Sequence, residues 1–579
     1  MSADGSLPLP LDSGSPAIER PAVVTIADVL VRIEADARLT EKKKAEMRSA
    51  LNVTCRALGA HPSLTQAEPR LLRPKLAKLT PAMVGVKPRT WANIKSLTLK
   101  ALKHAGLKSM AGRSREPLSP SWEALRSLLP DKHWQSGLSR FMSYCSAAGI
   151  APEAVTAATF SAFAVEVEGY SFVRDPGGLY RDTCKLWNQA AKTIPGWVRL
   201  EVPVPDRRRN FAMALDAFSA SFRVDVNTFL ARGAEPDVFS DTYCKPVSPL
   251  TIRNRKRGIL MAATALVRSG TPATELTDLA MLVDFTSAKR ALQFLFKRAG
   301  GQTNSEIYKI ATLLKTIARH HLRQSETTLA PLRQLCTSLK PEKQGFTEKN
   351  RRCLRQFSDL KKLAALLKLP ERVLGATHRK PKLLRRDAVR VELAIAVAIL
   401  LNIPLRAANL AGLRLDEHLL LVGERWFLSI PANETKNDVV IEAELPAHLG
   451  EQLQTYINRY RPLLVDQPTP WLFPGENGAR RPSGGFGQQL STFIAKEVGV
   501  VITPHQFRHL AAKLYLDRYP DGFETVRRLL GHKSIETTMR FYRELESILA
   551  GKRYAALLEE LMAKAVHIRR PRGNRHDDA

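Results

Sequence analysis

The stretch 501–544, VITPHQFRHLAAKLYLDRYPDGFETVRRLLGHKSIETTMRFYRE, brings residue types suited to phosphate chemistry close together. His505 and Arg508 lie three apart, which on a helix puts them on one face. Thr503-Pro504 reads as a helix start, with Thr503 as N-cap and Pro504 at the first helical position. Leu529-Leu530-Gly531 reads as a helix end, His532 stands just beyond it, and Tyr542 follows ten residues later. A guanidinium neutralises non-bridging phosphate oxygens, an imidazole moves or donates a proton, and a phenol can attack phosphorus. Alone, His-x-x-Arg is ordinarily a solvated surface pair; the combination points to a site.

The order of parts, HQFRH and then LLGHKSIETTMRFY, resembles the C-terminal signature of the tyrosine recombinase, or phage-integrase, family. That pattern is H-x-x-R, then Leu-Gly-His, then Thr-Thr and a tyrosine nucleophile. The resemblance extends upstream. LLNIPLRAANLAGLRL is similar to the family's first arginine box, with Arg406 on its catalytic position, Asn409 where an acidic residue is usual, and Arg414 in the next structural turn. The segments LLLV, WFLSI and DVVIEAELP read as three short strands, and Lys436 lies between the last two, where the family carries its catalytic lysine.

The resemblance implies that Arg406, Arg508 and His532 surround a scissile phosphate. His505 would assist proton transfer and Lys436 would protonate the departing 5′ oxygen. Tyr542 would attack phosphorus, giving a 3′-phosphotyrosine that religates without ATP or metal. One offset stands out: the family's commonest spacing puts the tyrosine at Phe541, and one residue is about 100° of helix rotation. Tyr515, Tyr519 and Tyr554 lack the Thr-Thr context, and the first two precede His532.

These elements need a scaffold and a polyanionic substrate, and the composition suits both. The 579 residues allow three or four domains, and 88 Lys+Arg against 56 Asp+Glu leave a net charge of +32, which favours a nucleic-acid partner. Six cysteines without C-x-x-C spacing read as reduced, mostly buried thiols. No P-loop motif occurs, and His320-His321, facing different sides of a helix, has no third ligand at metal spacing. Neither cofactor nor metal is expected. The longest apolar run, 393–401, is too short to span a bilayer, so a cytoplasmic, nucleoid-associated protein is expected.

In chain order, 1–23 reads as a disordered lead without signal-peptide character, and 24–111 as a helical N-terminal module. Its helix over 40–58 repeats Met47, Leu51, Cys55 and Leu58 and ends at Gly59, and a second basic helix over 90–105 offers Lys95 and Lys100 to DNA. A second helical module covers 120–202, its stripe of Trp134, Leu138, Phe141 and Tyr144 reading as core. Region 210–335 resembles the family's core-binding domain, with Arg253, Arg255, Lys256 and Arg257 crowding the first turns of an amphipathic helix. A basic linker opens the catalytic domain at 340–566, its HRKPKLLRR segment read as an interdomain strap, and 567–579 is a basic tail.

The expected fold is therefore mainly α and multidomain: helical DNA-binding modules, then a mixed α/β catalytic domain with a small antiparallel three-stranded sheet. The expected function is site-specific DNA recombination or integration. Its partners would be double-stranded recombination sites, a homo-tetramer in the synaptic complex and an accessory DNA-bending protein. Two alternatives stay open: an architectural DNA-binding partner that has lost cleavage, and a type IB topoisomerase-like or end-resolving enzyme.

Overall fold

Caps set many of the helix boundaries. The structure, a computed structural model, describes residues 24–108, 110, 117–205, 211–234, 246–342, 347–536, 538–539, 551 and 554–563. It divides into two units, 206–344 and the remainder of the chain.

In the larger unit, the N-terminal module holds α1 (Ile26–Ala35), α2 (Glu41–Leu58), α3 (Pro69–Leu76), α4 (Pro81–Val84) and α5 (Pro88–His104). Thr40 caps α2 by accepting the Lys43 N–H, and Gly59, at φ 63°, closes it in the left-handed region. Met47, Leu51 and Cys55 are buried, and Thr54 of α2 shares a buried 3.0 Å hydrogen bond with Thr98 of α5. The second module has α6 (Pro120–Ser127), α7 (Lys132–Ala147), α8 (Ala157–Tyr170) and α9 (Pro176–Thr193). Of the predicted stripe, Leu138 and Phe141 are fully buried and Trp134 and Tyr144 are partly buried against the same core, where Trp122, Phe163 and Trp187 are also fully buried and Phe141 stacks on Phe160 at 4.1 Å. Such rings contribute both area and edge-to-face or offset contact.

The unit 206–344 comprises α10 (Ala220–Ala234), α11 (Pro249–Arg268), α12 (Leu279–Val283), α13 (Phe285–Arg298), α14 (Ser305–His320) and α15 (Glu326–Ser338). Ile259, Ala263 and Leu266 of α11 pack with Leu292 of α13 and Leu314 of α14. The two adjacent histidines diverge, since His320 is exposed and His321 Nε2 lies 2.6 Å from Asp225 Oδ1.

The C-terminal region is built from α16 (Glu348–Arg355), α17 (Leu360–Leu367), α18 (Leu369–His378), α19 (Arg385–Asn402) and α20 (Ala407–Ala411), followed by the sheet. Strands β1 (Leu419–Val422), β2 (Arg425–Ile430) and β3 (Ile441–Glu444) pair antiparallel in that order, with Leu428 opposite both Leu419 and Ala443. Then come α21 (Ala447–Thr455), α22 (Ser483–Val498), α23 (Pro504–Arg518) and α24 (Phe523–Leu530). The fold is mainly helical with one small antiparallel sheet, as the sequence predicts. Helix α19 is buried almost all round from Ala394 to Leu400 and forms the axis of the core.

The stretch read as a basic linker is folded. Cys353, Leu354, Phe357, Leu366 and Val373 of α16–α18 belong to the same core as α19. Within HRKPKLLRR, Lys380 pairs with Asp387 and Leu384 stands at the N-cap of α19. The N-terminal module also reaches this region: α4 packs on α22, where Gly499 leaves room for the backbone of Ala82 and Met83.

Cys55, Cys145, Cys184, Cys336 and Cys353 are buried free thiols, and Cys244 lies outside the described residues. Burial pushes the thiols of Cys145 and Cys353 up to about 12, so they are packing groups and not nucleophiles. Among the described residues no helix is long and apolar enough to cross a membrane.

Candidate active site

Arg406 stands at the N-cap of the short helix α20, directly after the buried turn Ile403-Pro404-Leu405. Its side chain is half-buried, desolvation lowers its pKa, and no hydrogen-bond or ion-pair partner holds it among the described residues. A desolvated guanidinium without a counter-charge favours a bound anion. Arg414 is different: Asp416 and Glu417 each hold it at 2.8 Å, so it braces a turn.

Helix α23 supplies the next groups. A capping box fixes its start: Thr503 and Gln506 satisfy each other's backbone N–H, with Pro504 at the first position. His505 falls in the first turn and is exposed, whereas Arg508 one turn on is buried at 4% exposure. Arg508 Nη1 donates to Pro404 O at 2.8 Å and Nη2 donates to Leu530 O. One guanidinium thereby ties the turn before Arg406 to the helix end before His532. These two acceptors are carbonyl dipoles, which orient the fork without cancelling its charge.

His509, which the sequence reading passed over, lies one turn below His505, their rings edge-on at 5.0 Å. Asn350 of α16 accepts from Gln506 Nε2 at 3.2 Å, so its own Nδ2 donates to His509 Nε2 at 3.3 Å. A ring nitrogen that accepts is unprotonated. Burial, then His505, Arg508 and His532, bring the His509 pKa down to about 4, in keeping with that tautomer. The local signal was present as the second histidine of HQFRH, at i+4 from the first.

Lys436 is exposed on the connection between β2 and β3. That connection is braced from three sides. Asn409 of α20 donates to Glu434 O at 3.0 Å, Asn437 donates to Gly531 O at 2.9 Å, and Lys533 reaches Asp438 at 3.1 Å. Within it, Thr435 Oγ1 accepts the Val439 N–H at 2.9 Å. Asn409 thus links the Arg406 helix to the lysine connection, although it replaces an acid.

Gly531 closes α24 in the left-handed region at φ 56°, turning the chain so that His532 leaves the helix axis. His532 Nδ1 lies 2.9 Å from the buried Thr538 hydroxyl. Desolvation, then Arg508, Arg406, Arg527 and His505, depress its pKa to about 4. The His505 pKa is lowered by desolvation, then by Arg508, Arg406 and Lys436. Mutual effects of this kind fall with distance, so Arg406, Lys436, His505, Arg508 and His532 occupy one electrostatic neighbourhood. Tyr542 and Phe541 lie outside the described residues.

The remaining candidates lie elsewhere. Lys95 is half-buried against the Trp91 ring and Lys100 is exposed, both on α5. On α11, Arg253 and Lys256 are exposed, Arg255 lies over the Phe229 ring at 5.6 Å and Arg257 pairs with Glu306 at 2.8 Å. One cluster of metal-ligand types occurs among the described residues: Glu417, His418 and Glu434. His418 Nδ1 accepts the Arg414 amide at 3.0 Å, which leaves the proton on Nε2, 3.3 Å from Glu434. A protonated nitrogen has no lone pair for a metal, and this one makes no hydrogen bond to Glu434 despite the short distance.

The family model described as the phage integrase family matches residues 371–547. Over this stretch the chain is similar to the phage integrase family. Two archaeal relatives carry the name tyrosine recombinase XerA. The protein from Pyrococcus furiosus is 27% identical over 162 residues, covering 27% of this chain and 51% of its own. The one from Pyrococcus horikoshii is 28% identical over 168 residues, covering 27% and 55%. The chain thus spans about half the length of these curated relatives. Among solved structures, XerH site-specific recombinase bound to palindromic difH aligns at 16% identity and a TM-score of 0.35, over 54% of this chain and 80% of that one. A lambda integrase (75–356) dimer bound to a COC′ core site aligns at 16% and 0.33, over 51% and 89%. Arg406, Lys436, His505, Arg508, His532 and Tyr542 all fall inside the matched stretch, and the basic residues of α5 and α11 fall outside it.

Proposed function

We propose that the protein is a site-specific DNA recombinase or integrase that cuts and rejoins duplex DNA through a 3′-phosphotyrosine. The observation that carries this reading is the meeting of half-buried Arg406, without a partner among the described residues, with buried Arg508, Lys436 and two imidazoles of depressed pKa.

In this mechanism a scissile phosphodiester lies against Arg406 and Arg508, whose charges oppose the charge that grows on the non-bridging oxygens in the pentacoordinate transition state. His532, neutral at pH 7, donates a hydrogen bond to the same group, its ring oriented by Thr538. The Tyr542 phenol attacks phosphorus and gives up its proton, with His505 assisting. The P–O5′ bond breaks, and Lys436 supplies a proton to the departing O5′. Reversal with a different 5′-hydroxyl rejoins the strand, and the ester keeps the bond energy. No cofactor enters the steps. Two protomers would bind each recombination site, and two sites would synapse as a tetramer assisted by an accessory DNA-bending protein. The tail helix residues Leu557, Leu558 and Leu561, exposed by 49%, 36% and 52%, would dock on a neighbouring protomer.

The test is a duplex nicked beside the scissile phosphate, which traps the covalent intermediate. Wild type is expected to give an adduct stable to denaturant. Tyr542→Phe should give none, and Tyr554→Phe should leave it unchanged. Retained DNA binding with no adduct from wild type would establish the architectural alternative, whereas relaxation of supercoiled DNA lacking any recombination site would favour the topoisomerase-like one.

A further inference from the structure

Where α4 and α5 meet α22, a cavity of about 430 Å³ opens between the N-terminal module, the segment 172–174 and the C-terminal region. Its lining includes four cations, Lys78, Lys95, Arg174 and Lys496, and no carboxylate. None of the four has an acidic partner among the described residues. Lys95 lies 5.9 Å from the Trp91 ring centre, and its ammonium pKa is lowered by desolvation and then by Arg174, which places the two cations close together. Unneutralised like charges around a concave, partly desolvated space raise the local potential for an anion.

The walls carry a second signal. Trp91 and Phe172 contribute aromatic surface, and Trp91 is only 3% exposed. Its indole N–H is buried with no acceptor among the described residues, an arrangement that ordinarily costs free energy unless something else accepts the bond. Cavities of roughly 300–1,000 Å³ take small ligands, and aromatic faces beside basic side chains suit nucleotide units.

We infer that this seam binds a nucleotide unit, its phosphate among Lys95, Arg174 and Lys496 and its base against Phe172 at the edge of Trp91. The unit is either part of a single DNA strand or a free nucleotide. The site is separate from the candidate active site and does not depend on cleavage. It is nevertheless connected to it: Gly499 caps α22, and the turn that follows, with Val500 and Ile502 buried and Val501 exposed on the cavity wall, runs directly into α23 with His505 and Arg508. A ligand here joins the N-terminal module to the helix that leads into the active site.

The test uses the full chain with two probes, thymidine 5′-monophosphate and an eight-residue oligothymidylate, in binding titrations at fixed salt. Lys95→Gln/Arg174→Gln is expected to weaken binding at least tenfold. A charge-matched pair of exposed residues on α2, Lys42→Gln/Lys43→Gln, should weaken it less than twofold. Lys496→Gln, from the opposite wall, repeats the test without altering the N-terminal module should the first variant misfold. Binding of the monophosphate identifies a free nucleotide as the source, and binding of the oligomer alone identifies a strand. No binding of either probe, equal loss in the α2 pair, or undiminished binding in both seam variants would overturn the inference.

Discussion

At the level of single residues, Asn409 shows how chemistry at one position can be reassigned. An acid there would accept hydrogen bonds, whereas the Asn409 amide donates to Glu434 O and so holds the Lys436 connection against α20. Restoring the family's acid should therefore harm the protein: an aspartate removes the donor and faces its charge to a carbonyl oxygen. Asn409→Asp is expected to slow covalent adduct formation about tenfold, with the melting temperature little changed; an unchanged or faster rate would remove Asn409 from the positioning of Lys436. The two most strongly shifted histidines give a pH prediction. His509 and His532 titrate near 4 when folded and near 6.5 as isolated side chains. Below pH 6.5 the unfolded chain therefore binds more protons than the native state, and stability falls as pH drops toward 4, by up to about 1.4 kcal/mol per pH unit for His509 and by less for the half-exposed His532, whose charge solvent screens. Urea midpoints at pH 7.0, 5.5 and 4.5 should fall steadily in wild type and more gently in His509→Gln.

At the level of elements, local chemistry announced itself and long-range chemistry did not. Thr503-Pro504 starting α23, Gly531 closing α24, the period of α2 and the three strands were all legible, because caps and periodicity act within one or two turns. Contacts between residues far apart in sequence leave no such mark. Asn350 to His509, Arg508 to Pro404 O and the packing of α4 on α22 are of this kind. The basic, partly helical stretch before α19 carries an apolar face among its basic residues, and α16–α18 bury that face in the core. Gly499 makes the point testable. It has φ 75°, and a Cβ there would lie 2.9 Å from Met83 N and 3.0 Å from Ala82 C, whereas Gly59, at φ 63°, has open space around it. Both alanine variants carry left-handed strain of about 1–2 kcal/mol. Only Gly499→Ala should also lift α4 off α22, seen as faster amide exchange across residues 81–84; equal exchange in the two variants would mean that the seam tolerates the added methyl.

At the level of the whole molecule, the proposed function together with a net charge of +32 predicts a DNA affinity that falls steeply with salt, but the surplus is not spread over equivalent side chains. On α11, Arg257 is held by Glu306 and Arg255 lies over Phe229, so each has a role within its own unit. Arg253 and Lys256 are exposed, with no described acidic partner, and are the two best placed to neutralise phosphates. Each phosphate contact adds about 0.9 to the slope of log affinity against log salt, so Arg253→Gln/Lys256→Gln should flatten that slope by about 1.8 on duplex DNA. Arg257→Gln should flatten it by much less than one contact, since its charge is already met by Glu306. The salt series separates a phosphate role from a structural one, because destabilising the helix lowers affinity at every salt concentration without changing the slope. An unchanged slope in the double variant would place the DNA on another face of α11 and leave Arg253 and Lys256 as solvated surface charges.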